Sequence, residues 1–345
     1  MKKLFLLAFI ALISCGQAQT KPAKKTTGTA KAIVGFWNVE NLYDTINDPK
    51  IDDEEFLPSA KSKWNSERYA KKQLNISTII SKMGVEENPD GLAILGMAEV
   101  ENKAVLEDLV KTPALKSRNL GIVHYNSPDG RGIDVAMLYN PKYFKLISSS
   151  VHTVKLPGDS ARPTRDELLV NGKLNGELVH ILVCHWPSRR GGEEESAPGR
   201  NAAAKVAKGI IDSIRKAEKN PKILLMGDLN DDPTNESVKT ILNTSAEAEK
   251  ANAETLYGPM AKILEGGQGT LSYKNKWNLF DQIIMTEAFV KKGNKLLYQS
   301  AKVNNIPEVC ETNEKYKGQP FRTYAGSKYL GGYSDHFGVY AVFGK

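Results

Sequence analysis

Residues 331–343 read Gly-Gly-Tyr-Ser-Asp-His-Phe-Gly-Val-Tyr-Ala-Val-Phe. The run from Phe337 to Phe343 has the length and the aromatic and β-branched content of a buried strand. Ser334-Asp335-His336 leads into it from a glycine turn, so a carboxylate and an imidazole stand side by side at the strand's mouth. The chain holds only five histidines, so each placement carries weight. Alone, the tripeptide reads as a turn, because Ser, Asp and His commonly sit where a chain enters a strand. The other strands decide whether it is more.

The same arrangement recurs. Ala32 to Val39 reads as a buried strand, closed by Asn38, Glu40 and Asn41. Leu92 to Met97 is followed by Glu99 and Glu101, and Leu178 to Cys184 by His185. Ile223 to Met226 runs into Gly227-Asp228-Leu229-Asn230-Asp231-Asp232, and Asp281 stands at the start of Phe280 to Met285. One such residue is a loop or cap residue; six sets on separate core strands imply a shared rim. Between the strands, Ile76, Ile79, Ile80 and Met83 predict a helix over 66–83, and 103–110 also reads as helical. Strands are expected at 122–125 and 133–139, an alanine-rich helix over 198–216, and a long excursion over 246–268. Strands and helices intermix without a repeat or linker, so 32–345 reads as one α/β or α+β domain.

The rim's chemistry is specific. Oxygen donors without cysteine select a hard cation, Mg²⁺ first, with Mn²⁺ or Ca²⁺ as alternatives. Histidines in two motifs supply an acid and a base near neutral pH. Asp228 and Asn230, two apart on extended chain, point to one side, placed to polarise a water and hold a phosphate oxygen. Asp281 is placed to orient an imidazole.

Apolar residues make up 41% of the 345, enough for a large core and against global disorder. The formal charge of +7 is deceptive, since residues 1–31 hold six lysines and no acid, leaving +1 for 32–345. A polyanion site must therefore be a local cluster. Lys2-Lys3 and the apolar stretch Leu4 to Ile13 read as an export signal over 1–14, too short to span a bilayer. Leu12-Ile13-Ser14-Cys15-Gly16 resembles a bacterial lipobox, with Cys15 lipidated and 15–31 a flexible tether. The alternative is ordinary cleavage near Ala18 or Gln19. The expected address is extracytoplasmic, with membrane contact only through the lipid anchor. Cys184 and Cys310 remain, too few for a zinc site; a disulfide and free thiols both stay open.

Six motifs in this order resemble the endonuclease/exonuclease/phosphatase superfamily, the DNase I-like fold. They are Phe36-Trp37-Asn38-Val39-Glu40-Asn41, Ala98-Glu99-Val100, His185-Trp186-Pro187-Ser188, Gly227-Asp228-Leu229-Asn230, Phe280-Asp281-Gln282-Ile283 and Ser334-Asp335-His336. The resemblance implies a four-layer sandwich: two mixed β-sheets packed face to face, with helices outside. It implies a metal held chiefly by Glu99, helped by Asn38 and Asp335, with Glu40 beside it. His336, oriented by Asp281, would activate or stabilise the phosphate and its nucleophile. Asp228 would position or deprotonate the attacking water, and Asn230 would hold a phosphate oxygen. His185 matches the histidine of the DNase I-like branch and would protonate the leaving group, unless a metal-bound water does. Asp134 aligns with the carboxylate that pairs with that histidine.

Arg131 and Arg189 lie near the motifs and are expected to contact phosphate, since arginine grips it bidentately. His124, His152 and His180 adjoin no motif and read as structural or surface residues. Trp37 and Trp186 read as core packing, and Glu101 and Asn102 as caps of the next helix. The expected substrate is DNA or RNA, with a small-molecule or lipid-headgroup phosphate as the alternative and an inactive binding protein as a third reading. The chain is expected to be a monomer.

Overall fold

The computed structural model describes residues 30–158 and 164–345. The export signal, Cys15 and nearly all of the tether lie outside the described residues. In chain order the strands are β1 (Ala32–Leu42), β2 (Ile94–Val100), β3 (Gly121–His124), β4 (Asp134–Tyr139), β5 (Phe144–His152), β6 (Glu167–Leu174), β7 (Glu177–His185) and β8 (Ile223–Asp228). They continue with β9 (Thr244–Ser245), β10 (Leu256–Tyr257), β11 (Leu271–Tyr273), β12 (Lys276–Asn278), β13 (Asp281–Met285), β14 (Leu297–Val303), β15 (Tyr324–Ala325), β16 (Lys328–Tyr329) and β17 (Val339–Gly344). The α-helices are α1 (Ser66–Lys82), α2 (Lys103–Lys111), α3 (Glu193–Ala217) and α4 (Met260–Glu265).

Two mixed sheets result. The first runs β14-β17-β1-β2-β4-β3 and the second β5-β6-β7-β8-β13-β10-β9. β1 is buried along nearly its whole length, because it lies between β17, antiparallel, and β2, parallel. Its neighbours α1 and the second sheet join the same apolar core. The second sheet shows why side chains fall where they do. Val179, Ile181 and Val183 of β7 enter the core between the sheets, while Leu182 and Cys184 enter the core under α3. β8 and β13 alternate likewise, with Leu224, Met226 and Ile283 inward and Leu225 and Ile284 outward. Strand periodicity therefore turns His185, Asp228 and Asp281 toward the other sheet. Gly227 permits the close pairing beside Asp228, since a Cβ there would overlap the Cys184 carbonyl.

α1 is capped by Asn65, whose side chain accepts from Arg68 N, and α2 by Asn102, which accepts from Val105 N. Glu101 is not a cap; its Oε2 accepts from Asp44 N at 2.6 Å. α3 begins at Glu193, five residues before the expected start, because Glu193, Glu194 and Glu195 complement the dipole of its first turn. β5 and β14 are edge strands with mostly part-exposed residues, so they lack the apolar run that betrays a core strand. Cys184 and Cys310 are both free thiols.

Candidate active site

The parallel pairs β1–β2 and β7–β8 end at one edge of the sandwich, where the antiparallel β13 and β17 begin. In the second sheet, His185 and Asp281 are both direct cross-strand partners of Asp228, making one row of three. Asn38 Nδ2 reaches across from the first sheet and donates to Asp228 Oδ2 at 3.0 Å. The same oxygen lies 3.6 Å from His185 Nε2 and 3.9 Å from His336 Nε2. Asp228 Oδ1 accepts from Asn230 N at 3.0 Å, and Asn230 Nδ2 donates to Trp186 O at 2.9 Å.

His336 Nδ1 lies 2.7 Å from Asp281 Oδ2. Its loop is pinned to β1: Ser334 Oγ donates to Asn38 O and accepts from His336 N, and Trp37 Nε1 donates to His336 O. The opening tripeptide is thus locked on both sides. Burial opposes charge on His336, but Asp281 and Asp228 overcome it and hold the imidazole well above its usual range. His185 is pushed well below by burial, with Arg165, Arg131 and His336 adding repulsion. The two imidazoles are thus biased in opposite directions, His336 toward the charged form and His185 toward the neutral one. His185 Nδ1 has no hydrogen-bond partner among the described residues. Asp228 is pushed up by burial, with His336 pulling against it.

The expected metal ligands gather at the mouths of β1 and β2. Both strands bulge there, and Glu40, Asn41 and Glu99 adopt φ of 52°, 54° and 62°; Asn230 at the end of β8 has φ 50°. Bulges re-aim side chains, and strain of this kind collects at functional sites. Glu99 Oε2 accepts from Asn41 N. Asp335 lies 3.6 Å from Arg322 and is part exposed. Glu40 is committed elsewhere: its oxygens accept from Thr323 N and Tyr324 N, and burial and Asp335 push its carboxyl up. Asn38 Oδ1 accepts from Glu40 N. Glu99 and Asn38 each accept one backbone N–H and keep oxygen lone pairs, as does part-exposed Asp335, whereas both oxygens of Glu40 accept backbone N–H groups. Such a donor set, oxygen only and part exposed, fits a hard divalent cation that needs one or two carboxylates. Among the described residues, Asp228, Asp281 and His336 form a tighter group, within 4.8 Å. Within it His336 Nδ1 and Asp281 Oδ2 already bond each other at 2.7 Å.

Two expectations are overturned. Asp134 does not pair with His185; its Oδ2 lies 2.9 Å from His124 Nε2 and its Oδ1 accepts from Ser127 N. β4 belongs to the other sheet, next to β3, where His124 pairs with Ala136, two residues along the same face from Asp134. Arg189 does not face substrate. Its guanidinium donates to Asn230 O, Glu193, Asp231 and Asn235 and stacks over Phe280, so it braces the Asn230 loop. Arg131 keeps a half-exposed guanidinium, with Asp129 as its ion-pair partner at 3.7 Å. It lines both a cavity of about 780 Å³ that also holds Arg165, Ser188 and Arg190, and one of about 280 Å³ beside Glu40 and Asn41.

Three buried groups have roles that the sequence reading did not assign. Lys72 of α1 donates to Thr323 Oγ1 at 2.6 Å and Tyr333 O at 2.7 Å, with Glu40 at 4.0 Å. Burial lowers its pKa, while Glu40, Asp335 and Glu99 resist. Its spacing of four from Ile76 put it on the apolar face, a signal that was available. Arg165 donates to His185 O, Trp186 O and Asp129. Glu167 accepts from Trp186 Nε1 at 3.0 Å. Trp37 and Trp186 are core residues, as expected, and His180 is tied to Asn171 and Glu218.

The signature of the Endonuclease/Exonuclease/phosphatase family matches residues 33–345, and the chain belongs to that family. It is a phosphoester hydrolase of a class that generally depends on a divalent metal. The fold is shared with solved structures of low identity. An endonuclease/exonuclease/phosphatase family protein from Bacteroides thetaiotaomicron is 15% identical, with TM-score 0.56, covering 91% of this chain and 98% of that one. The mannosyl-6-phosphatase Bt3783 of the same organism is 14% identical, with TM-score 0.54, covering 90% and 99%. D. rerio TDP2, solved with a single strand DNA product, is 13% identical, with TM-score 0.54, covering 91% and 99%. No curated protein matches the chain.

Proposed function

We propose that this chain is a metal-dependent nuclease that hydrolyses DNA or RNA phosphodiester bonds by in-line attack of water. The observation that supports it is the 780 Å³ cavity walled by Pro187 and Ser188, which follow His185, with Arg131 and Arg190 in the wall beside Asp52, Asp129 and Glu195. It is larger than one phosphate group requires, and the guanidinium groups of Arg131 and Arg190 are the exposed cations it offers to neighbouring backbone phosphates, since Arg165 is buried and bonded to Asp129, His185 O and Trp186 O. A structural neighbour solved with single strand DNA product is consistent with that reading.

When bound at Glu99 and Asp335, the metal supplies Lewis-acid polarisation of a phosphoryl oxygen. Asp228, its basicity increased by burial, takes a proton from the attacking water. The second N–H of Asn230 Nδ2 holds a phosphoryl oxygen. His336, kept cationic by Asp281, stabilises charge on the phosphoryl group. His185, kept neutral by burial and with Nε2 3.6 Å from Asp228 Oδ2, relays the proton that Asp228 takes from water to the leaving oxygen, so the proton balance closes. We further propose export, anchoring through Cys15 and a monomeric state.

A small phosphate monoester is the second reading, favoured by the charge of only +1 over 32–345 and by the phosphatase among the neighbours. A panel of supercoiled DNA, RNA, bis-p-nitrophenyl phosphate and sugar monophosphates, with and without EDTA, separates the two. Mg²⁺-dependent nicking, lost roughly 10²–10⁴-fold in His185→Ala and Asp228→Ala, is expected. Release of phosphate from monoesters with intact plasmid would overturn the nuclease reading. Activity that persists in EDTA would overturn the metal.

A further inference from the structure

We infer that the end of the sandwich opposite the rim docks on an anionic lipid surface and holds the site away from it. This deepens the proposed anchoring and is independent of which phosphoester is cleaved. β1, β2, β7 and β8 end at the rim, so their first residues, with the last residues of β6, β13 and β17, mark the opposite end. The segments that cross it are 140–145, 173–177, 216–222, 286–296 and 344–345. They hold ten lysines and three glutamates, although 32–345 as a whole sums to only +1. The remainder is therefore net acidic. Positive charge is concentrated at this end, and the resulting field turns it toward an anionic plane.

The glutamates are already bound within the patch. Glu177 lies 3.1 Å from Lys222 and 3.7 Å from Lys295, Glu218 lies 3.1 Å from His180, and Glu287 lies 3.2 Å from Arg215. Lys145, Lys173, Lys216, Lys219, Lys291 and Lys292 are exposed and have no ion-pair partner among the described residues. Their arrangement is unfavourable in water. Lys145 and Lys173 are direct cross-strand partners, and Lys291 and Lys292 are adjacent. Like charges placed opposite one another repel, and negative groups from outside would relieve that. Leu178, the other cross-strand partner of Lys173, is 41% exposed. An anionic lipid layer offers headgroup charge to the lysines and an apolar boundary to Leu178. A nucleic-acid backbone offers only the charge.

The chain enters the fold at this same end. Ala30 O accepts from Asn175 Nδ2 at 2.8 Å, and Ala30 lines a hollow of about 300 Å³ with Lys295 and Lys345. Ala30 stands fifteen residues after Cys15, a reach of at most about 50 Å. That reach alone lets either end of the fold meet the membrane; the lysines decide which one does. A lipid and a polybasic surface also hold more firmly together than either alone. The rim then stands about 20–30 Å further out along β1, where it draws substrate from solution and not from lipid.

The test uses the full chain carrying Cys15→Ser, so that no lipid is attached. It is mixed with phosphatidylcholine vesicles and with vesicles in which a third of the lipid is phosphatidylglycerol. Co-sedimentation should be stronger with phosphatidylglycerol, and the excess should fade as salt is raised. Lys145→Gln with Lys173→Gln, and Lys291→Gln with Lys292→Gln, should each lower that excess roughly tenfold and leave binding to phosphatidylcholine unchanged. Vesicle-bound enzyme should cleave the best phosphoester of the panel above as fast as free enzyme does. An excess that both double variants keep would overturn the docking surface. So would variants that lose DNA affinity in EDTA but keep the vesicle excess, since that marks a nucleic-acid surface. Hydrolysis that stops on vesicle binding would set the rim against lipid and overturn the orientation. None of these outcomes touches the nuclease reading, which the substrate panel decides.

Discussion

Glu167→Gln should change how stability depends on pH. Glu167 is 1% exposed, and Oε2 has no partner among the described residues while Oε1 accepts from Trp186. Burial pushes its carboxyl from 4.5 up to about 8. Between these values the folded state holds a proton that the unfolded state has released, so stability falls as pH rises. The contribution is fully present below pH 4.5 and is lost as pH climbs through 8. At 1.36 kcal/mol per pH unit the span amounts to about 5 kcal/mol. Glutamine keeps the acceptor for Trp186 and has no charge to bury. Urea unfolding of both proteins at intervals from pH 5 to 9 measures the difference. Near pH 5 the variant should be equal or slightly less stable, because its amide N–H groups lack acceptors. Near pH 9 it should be the more stable by several kcal/mol. A difference that stays flat across the range would refute the buried, protonated carboxyl.

Three further outcomes are expected. Arg131→Ala should weaken nucleic-acid binding and lower the slope of log affinity against log salt by about one, read by titration at several salt concentrations. Arg189→Ala should leave that slope unchanged while lowering kcat and costing about 1–2 kcal/mol in urea, because it frees the Asn230 loop, while Asp231 keeps Arg200 and Ser237. Lys72→Met should cost about 3 kcal/mol and expose residues 311–331 to limited proteolysis, since Thr323 and the Tyr333 carbonyl lose their buried donor.

The six strand-end motifs made the rim legible because a buried strand is an apolar run, and a polar residue at its end stands out. Their meeting follows from parallel pairing of β1 with β2 and β7 with β8, which the run of strands suggested but did not specify. β5 escaped because an edge strand needs no continuous apolar run; its Ser148, Ser149 and Ser150 read as loop. The Asp134 partner was misjudged because alignment along one strand says nothing about which sheet its neighbour joins. Arg189 was misjudged because an arginine's partners lie far off in sequence, here up to 46 residues. Lys72 was visible in the helical spacing, but its position among charged neighbours hid it.

The left-handed backbone at Glu40, Glu99 and Asn230 has a consequence for anyone improving the protein. A side chain in that region costs roughly 1–2 kcal/mol that glycine would not. A screen that rewards only heat resistance would therefore drift toward glycine at these positions, Glu99 above all, where the side chain makes one backbone hydrogen bond. The winners would melt later and hydrolyse nothing, so any such screen has to count turnover alongside melting temperature.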